Sequence, residues 1–426
     1  MQIVQWANLD TEQRRKTLTR PAMSNSAEIT SIVSNIVNRI RTEGDSALRE
    51  FTAKFDKVSD GDLRLSDAAI QAACERTSPE LKAAIQHAYR NVATFHQAQK
   101  SAPLALDTQS GVRCELHYQP INRVGLYVPG GSAPLVSTVL MLAIPAKIAE
   151  CRKVILCSPP PIADEIIYAA TLCGVSEIYT MGGAQAIAAM AYGTETIGKV
   201  DVITGPGNIF VATAKKLVFG DVNIDMIAGP SEIGILADES ANPSWLAVDM
   251  LSQAEHDELA GSYLVTTSEK IANDTAKEID RYLAELPRNE ISSVSIANNG
   301  IIIVCEDMKE AIDIMNDIAP EHLEVCVTNA LELLPFIKHA GAIFLGHYTP
   351  EAIGDYLAGP NHTLPTGASA RFFSPLSTEH FMKKSSIISF SKEAIKQLGV
   401  QCATIADVEG LFAHKESVMA RVRDTQ

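Results

Sequence analysis

Apolar residues between positions 27 and 58 recur three or four apart: Ile29, Ile32, Val33, Ile36, Val37 and Ile40 form one face of an amphipathic helix. Gly44-Asp45-Ser46 predicts a stop and a fresh N-cap, followed by a second helical piece carrying Leu48 and Phe51. A third helical stretch is expected over 66–100, broken at Thr77-Ser78-Pro79. From Arg123 the period changes. Short apolar strands are expected at 124–128, 154–157, 177–180 and 200–204, then at 262–266, 300–305, 323–327 and 342–345, with helices between them. Such βα alternation implies parallel sheets covered by helices on both faces.

The predicted class is therefore α/β, with two Rossmann-like α/β/α domains, one inserted in the other, plus a small N-terminal helical segment and a C-terminal segment. The expected division is 1–24 for the N-terminal segment, 25–124 with 233–373 for a discontinuous first α/β domain, 125–232 for the second, and 374–426 for the C-terminal segment. Past Phe373 the alternation fades, and 405–422 predicts a terminal helix.

Four apolar segments in 125–232 run into Gly-rich turns. These are Pro129-Gly130-Gly131-Ser132, Gly182-Gly183-Ala184-Gln185, Gly205-Pro206-Gly207-Asn208 and Gly229-Pro230-Ser231-Glu232. The first three lead into helical patterns. Glycine lets backbone N–H groups approach a ligand, and helix N-termini favour anions. Several such turns along one sheet edge form a crevice at the carboxyl ends of the strands. One turn alone reads as a tight βα connection; four in succession point to a sizeable, phosphorylated small molecule. No GxGxxG follows a strand, so a nicotinamide cofactor would have to use these turns instead.

Length and charge narrow the class. A chain of 426 residues suits two or three domains, and 46% apolar with 20% charged residues is ordinary for globular proteins. The net charge, 36 − 51 = −15, argues against nucleic acid or an anionic membrane as partner. Eight scattered cysteines without a CxxC pair suit a reducing compartment. The first twenty residues lack a signal-peptide apolar region, and the longest apolar run, 136–149, is interrupted by Pro145 and Lys147. A cytoplasmic location is expected.

Polar residues that could do chemistry stand out singly. Gln253 and His256 sit three apart in an amphipathic helix expected over 248–259, so one face could offer both to a metal or simply to solvent. Glu321 and His322 adjoin the start of a strand, where a carboxylate and an imidazole could form an acid/base pair or a surface turn. Asp355, a hard-metal ligand by type, and His362, a possible substrate contact, lie in a Gly/Pro loop that also carries Thr366-Gly367. Glu409 and His414 are five apart, about 140° around an ideal helix, so joint use needs Gly410 to loosen the turn. Cys114 and Cys151 have no nearby histidine in sequence and read as packing residues.

Together these pieces resemble histidinol dehydrogenase over essentially the whole chain. The motifs are GLYVPGGSAPL, GGAQAIAA, GPGN, AGPSE, LSQAEHD, PEHLE, GDY…GPNHTLPT and a tail E-x-x-x-AH, in that order. The resemblance implies a metal site for zinc, one per subunit, held by Gln253, His256, Asp355 and His414. It implies proton chemistry at Glu321 and His322. Substrate contacts would fall to Ser231, Gln253, His256, His322, Asp355, His362, Glu409 and His414, and NAD contacts to Tyr127, Gln185 and Asn208. Residues 125–232 would then be the NAD-binding domain, and 374–426 a segment swapped across a homodimer with shared active sites. The implied reaction is a four-electron oxidation of L-histidinol to L-histidine through L-histidinal, using two NAD, at the end of histidine biosynthesis. The compact 216–223 segment and Phe372-Phe373-Ser374-Pro375 depart from the usual wording and bear only on loop shape.

Two other enzyme readings stay open. Relatives that oxidise other small alcohols, such as sulfonated diols, would vary at positions like His362 and Glu409; both are present, and Glu409 suits a cationic amine. A zinc hydrolase could use a Glu–His pair to activate water, but would leave the four Gly-rich turns without a purpose.

Overall fold

The computed structural model describes residues 1–20, 27–58, 61–130 and 134–424; Gly131 and Ser132 of the first Gly-rich turn lie outside them. Along the chain the first strands are β1 (Gln2–Gln5), β2 (Leu104–Gln109), β3 (Val112–Pro120) and β4 (Arg123–Tyr127). Next come β5 (Lys153–Ser158), β6 (Glu177–Thr180), β7 (Val202–Thr204) and β8 (Asn223–Ile224). The last are β9 (Glu232–Ala237), β10 (Gly261–Thr266), β11 (Gly300–Val304), β12 (His322–Cys326), β13 (Ala342–Leu345) and β14 (Met382–Phe390). The chain forms two compact units: Met1–Gln99 with Asn122–Phe381, and Lys100–Ile121 with the residues from Met382 onward.

The first unit holds two all-parallel sheets. One runs β6-β5-β4-β7-β8 and the other β1-β11-β10-β9-β12-β13. Counted from β4 or from β9, each has the doubly wound order third, second, first, fourth, fifth. The direction of winding reverses between β4 and β7 in one sheet and between β9 and β12 in the other. All six residues of β9 and all five of β12 are buried, as expected where helices cover both faces. The unexpected member is β1, which pairs with β11 at the edge.

Helices Ala27–Glu43 and Asp45–Phe55 meet at Gly44, whose φ of +58° only glycine adopts cheaply. Ser66 and Ser78 cap Asp67–Arg76 and Pro79–Ala98, so the predicted break at Thr77-Ser78-Pro79 is real. Val33, Ile36, Val37, Ile40, Leu48 and Phe51 bury in one core with Ile187, Val211 and Ala214. This places Ala27–Glu43 and Asp45–Phe55 on the five-stranded sheet, whereas the sequence division joins 25–124 to 233–373. Burial explains the difference: Gly183–Tyr192 is enclosed from Ala184 to Ala191 and needs a helical layer outside the sheet.

In the second unit β14, β3 and β2 form an antiparallel sheet. The expected terminal helix is two helices, Lys392–Val408 and Phe412–Asp424, separated at Gly410 with φ +71°. They pack so closely that a Cβ on Gly399 would lie 2.4 Å from Val422 Cγ2. Strand β2 is exposed throughout, so it lacks the buried alternation that makes strands legible. No helix among the described residues is long and apolar enough to cross a membrane.

Candidate active site

Parallel pairing sets β9 and β12 side by side, His322 opposite Ile233. The residues at the amino ends of these strands therefore converge. The Glu232 backbone N–H donates to Glu321 Oε2 at 3.0 Å, and His322 Nδ1 lies 3.1 Å from the Glu232 carbonyl oxygen. Arg20 forms a two-bond pair with the Glu232 side chain, 2.9 Å from Nη2 to Oε2, and so occupies that carboxylate. Ser231 sits immediately before β9, where its carbonyl accepts from Gly261 N–H. Open α/β sheets bind ligands at the carboxyl ends of their strands. This cluster lies at the opposite, amino end of the six-stranded sheet.

Since Nδ1 faces a carbonyl, it donates there, and Nε2 is the free face of His322. Nε2 is buried without a hydrogen-bond partner and points at carboxylates: Asp355 Oδ1 at 3.5 Å and Glu351 Oε1 at 3.9 Å. Asp355 lies on a π-helical turn, Gly354–Ala358, that continues the short helix Glu351–Ile353. The first part of the predicted loop is thus helical, with the wide turn that often marks functional positions, while His362 lies in the irregular stretch beyond it. A Cβ at Gly354 would lie 2.3 Å from Phe344 Cε1, so glycine lets this turn press against β13. His362 closes the group, Nδ1 3.1 Å from the Asp355 carbonyl oxygen and 3.6 Å from its Oδ2. Its Nε2 is 3.5 Å from Thr138 Oγ1 on helix Val136–Ile148, which follows β4 of the other sheet.

The electrostatics follow from burying more acid than base. Burial pushes the Glu321 carboxyl up to about 8 and Glu351 to about 7. Burial also opposes charge on His322, yet Glu321 and Asp355 outweigh it and raise the ring to about 10. Burial acts on Asp355 as well, but the adjoining His322 ring and its charge hold it below the ordinary value. With His322 and Asp355 ionised together, each further carboxylate costs more to ionise, so Glu321 and Glu351 both titrate high. Beneath them Glu324 accepts from the Glu351 N–H at 2.7 Å, and burial with neighbouring Asp249 raises Glu324 well above its usual range. The site is short of positive charge.

A cation fits that deficit, and Gln253 supports it independently. Both amide atoms of Gln253 are buried without a hydrogen-bond partner, a costly state unless something else binds them. The helix carrying Gln253 ends at Ala254, so His256 is not helical as predicted. The turn still sets them close, with His256 N–H bonded to the Gln253 carbonyl at 3.2 Å. His256 is accessible to solvent, yet protein crowds it enough that desolvation, aided by His322, lowers its pKa against the pull of Asp355. By spacing alone, His322, Glu351 and Asp355 offer ligand atoms within 4.8 Å of one another. Glu409 and His414, expected at the same centre, belong to the second unit, where both are exposed.

The expected cofactor residues gather at the carboxyl ends of the five-stranded sheet. There a Cβ on Gly205 would lie 2.0 Å from the Tyr127 carbonyl oxygen, so only glycine lets β4 and β7 end this close together. Tyr127 OH accepts from Gly183 N–H at 3.0 Å, and Gln185 Nε2 donates to Asp56 Oδ2 at 3.1 Å. The same Asp56 oxygen accepts from Gly182 N–H at 3.0 Å. Asn208 caps helix Ile209–Val218 through Phe210 and Val211 N–H. The protein's own oxygens thus already engage the N-termini after the second and third Gly-rich turns. That differs from the simple expectation of open anion sites.

Sequence reasoning missed Glu351, Asp56, Arg20 and Glu232. Glu351 carried one signal, its position four residues before Asp355; the others come from distant elements. Cys114 and Cys151 form no disulfide among the described residues, and Cys151 Sγ bonds the Phe381 carbonyl at 3.6 Å.

Residues 18–422 match the family model described as histidinol dehydrogenase. The chain is 56% identical to a histidinol dehydrogenase of Sulfurimonas denitrificans over 402 residues, covering 93% of this chain and 94% of the relative. One from Vibrio parahaemolyticus is 48% identical over 425 residues, covering 99% and 98%. The crystal structure of histidinol dehydrogenase from Elizabethkingia anophelis superposes with a TM-score of 0.95 at 41% identity, covering 100% of this chain and 98% of that one. With a family match over nearly its whole length and a site built from the motif residues, the chain belongs to the histidinol dehydrogenase family.

Proposed function

We propose that this protein is a zinc- and NAD-dependent histidinol dehydrogenase, acting in the cytoplasm in the last steps of histidine biosynthesis. It oxidises L-histidinol to L-histidine by way of L-histidinal and reduces two NAD. The observation that carries the reading is the group of Glu321, His322 and half-buried Asp355, with a buried amide lacking any hydrogen-bond partner, Gln253, on the helix whose Ser252 bonds Glu351. Gln253, His256 and Asp355 would hold the cation, with His414 supplied by the tail of a second subunit in a homodimer. When bound, the cation supplies fixed positive charge that positions the substrate's amine and imidazole, while NAD accepts hydride.

The chain's own residues divide the remaining work. His322 accepts the hydroxyl proton at Nε2, the nitrogen left free by the bond of Nδ1 to Glu232. Glu321 takes a proton from water as the aldehyde is hydrated before the second oxidation. Ser231 and His362 flank the site from β9 and from the loop after Asp355, and Glu409 suits the substrate's cationic amine. Tyr127, Gln185 and Asn208 line the cofactor crevice. Burial of the acid/base pair keeps bulk solvent out while the aldehyde waits, leaving room for the one water that hydrates it. Absorbance of NADH after mixing the protein with zinc, NAD and L-histidinol tests the reading. No NADH from histidinol, with ester or amide cleavage in its place, would favour a hydrolase instead.

A further inference from the structure

The cofactor crevice contains a carboxylate that the proposed chemistry does not use. Asp56 ends helix Asp45–Phe55 and reaches the turn after β6, where one oxygen accepts from Gly182 N–H and from Gln185 Nε2. The geometry is tight. A Cβ on Gly182 would lie 2.4 Å from Pro159 Cγ and 3.2 Å from Asp56 Oδ1, and one on Gly130 would lie 3.1 Å from Pro159. The ends of β4, β5 and β6 therefore meet around Pro159, with Asp56 at their rim. Among the described residues no cationic side chain pairs with Asp56, so its charge faces the crevice balanced only by neutral donors.

A carboxylate at the N-terminus of Gly183–Tyr192 holds the place where a phosphate would otherwise bind. A phosphate brought beside it meets like charge in a half-buried setting, whereas a hydroxyl can donate to it. Tyr127 and Gln185, the proposed cofactor contacts, surround this carboxylate. Reaction chemistry reaches this sheet through Thr138, after β4, while Asp56 sits at the β6 edge beyond β5. The part of the dinucleotide near Asp56 is then the ribose remote from the reacting ring. We infer that Asp56 restricts this site to a dinucleotide whose adenosine ribose is unphosphorylated, NAD rather than NADP. This rests on the proposed cofactor reading and assigns its specificity.

The test compares kcat/KM for NAD and NADP, with L-histidinol saturating and zinc present, in wild type, Asp56→Asn, Asp56→Ser and Asp56→Glu. Wild type should prefer NAD. The Asn and Ser variants should move the NADP/NAD ratio by roughly tenfold or more, since a like-charge contact costs at least that much in binding. Asp56→Glu should keep the wild-type preference. A helix-capping role alone would lower the melting temperature and leave the ratio unchanged, and that result would overturn the assignment. Competition against wild type, which needs no variant to fold, gives a second reading: adenosine 5′-monophosphate should displace NAD better than adenosine 2′,5′-bisphosphate. Equal displacement also overturns the assignment. A wild-type protein that calorimetry shows to bind neither dinucleotide would remove the cofactor reading and this assignment with it.

Discussion

His322 Nε2 stands 3.5 Å from Asp355 Oδ1, a buried imidazole facing a carboxylate on a π-helical turn. The other ring nitrogen faces a backbone carbonyl, so the tautomer and the direction of the free nitrogen are both set by the fold. Asp355 thus serves two neighbours, the proposed base and the proposed cation. Matching its charge with a cation would remove one reason for His322 to keep its proton.

That arrangement predicts separable defects in the two oxidations. Wild type should form two NADH per histidine. Glu321→Gln should slow the oxidation of supplied L-histidinal more than that of L-histidinol, because the hydration step loses its base. His322→Asn should slow both, each loss lying within the roughly 10²–10⁴-fold typical of a general acid or base. Rapid-mixing measurement of NADH with each substrate decides this. One NADH per turnover with aldehyde release would sink the two-step scheme.

Gln253 separates metal binding from folding. Because its buried amide has no hydrogen-bond partner, Gln253→Leu removes an unsatisfied polar group and should leave the metal-free protein at least as thermally stable as wild type. Zinc affinity should nevertheless fall, as it should in His256→Asn, where a nitrogen ligand is lost. Chelation should abolish wild-type activity. Competitive titration of zinc with a chromophoric chelator reads the affinity directly. Unchanged zinc affinity in both variants would take these residues out of the centre.

The buried pair Lys215–Asp225 predicts a stability effect at the third Gly-rich turn. The side chains are 3% and 1% exposed; Lys215 Nζ donates to the Gly205 carbonyl at 2.9 Å, and Asp225 accepts from Gly205 N–H at 2.7 Å. Lys215→Met leaves a buried carboxylate without its cation and should cost about 3–5 kcal/mol. Replacing both partners with apolar residues should cost less than the sum of the single changes. Urea denaturation of the two single variants and the double variant gives the comparison, and strict additivity would contradict it.

The second unit predicts a shared active site. Ile388, Val408 and Phe412 are 66%, 86% and 67% exposed there, apolar surface that suits a second copy of the chain. If the tail delivers Glu409 and His414 to a neighbour's zinc, mixing inactive His414→Asn with inactive His322→Asn should restore activity. Random equal pairing makes half the dimers mixed, each with one intact site, so recovery should approach about a quarter of wild type. No recovery, with subunit exchange confirmed by mass spectrometry, would place each site within one chain.

Local rules were enough to read much of this chain. Helix breaks at Gly44 and at Ser78-Pro79, the βα alternation, and the glycines where β4 and β7 end all follow from backbone sterics and periodicity, which act over a few residues. So does the adjacency of Glu321 and His322. What the tertiary structure alone decided joins residues far apart in the chain. Strand β1 pairs Gln2 with Ile301, β2 and β3 meet β14 without a buried alternation to announce them, and helices Ala27–Glu43 and Asp45–Phe55 cover the five-stranded sheet rather than the six-stranded one. Glu351 reaches His322, and Asp56 the turn after β6, only because parallel pairing and helix docking carry them there. Even the charge of His322 belongs to the fold, since the carboxylates that raise it and the burial that opposes it exist only once the chain has closed around them.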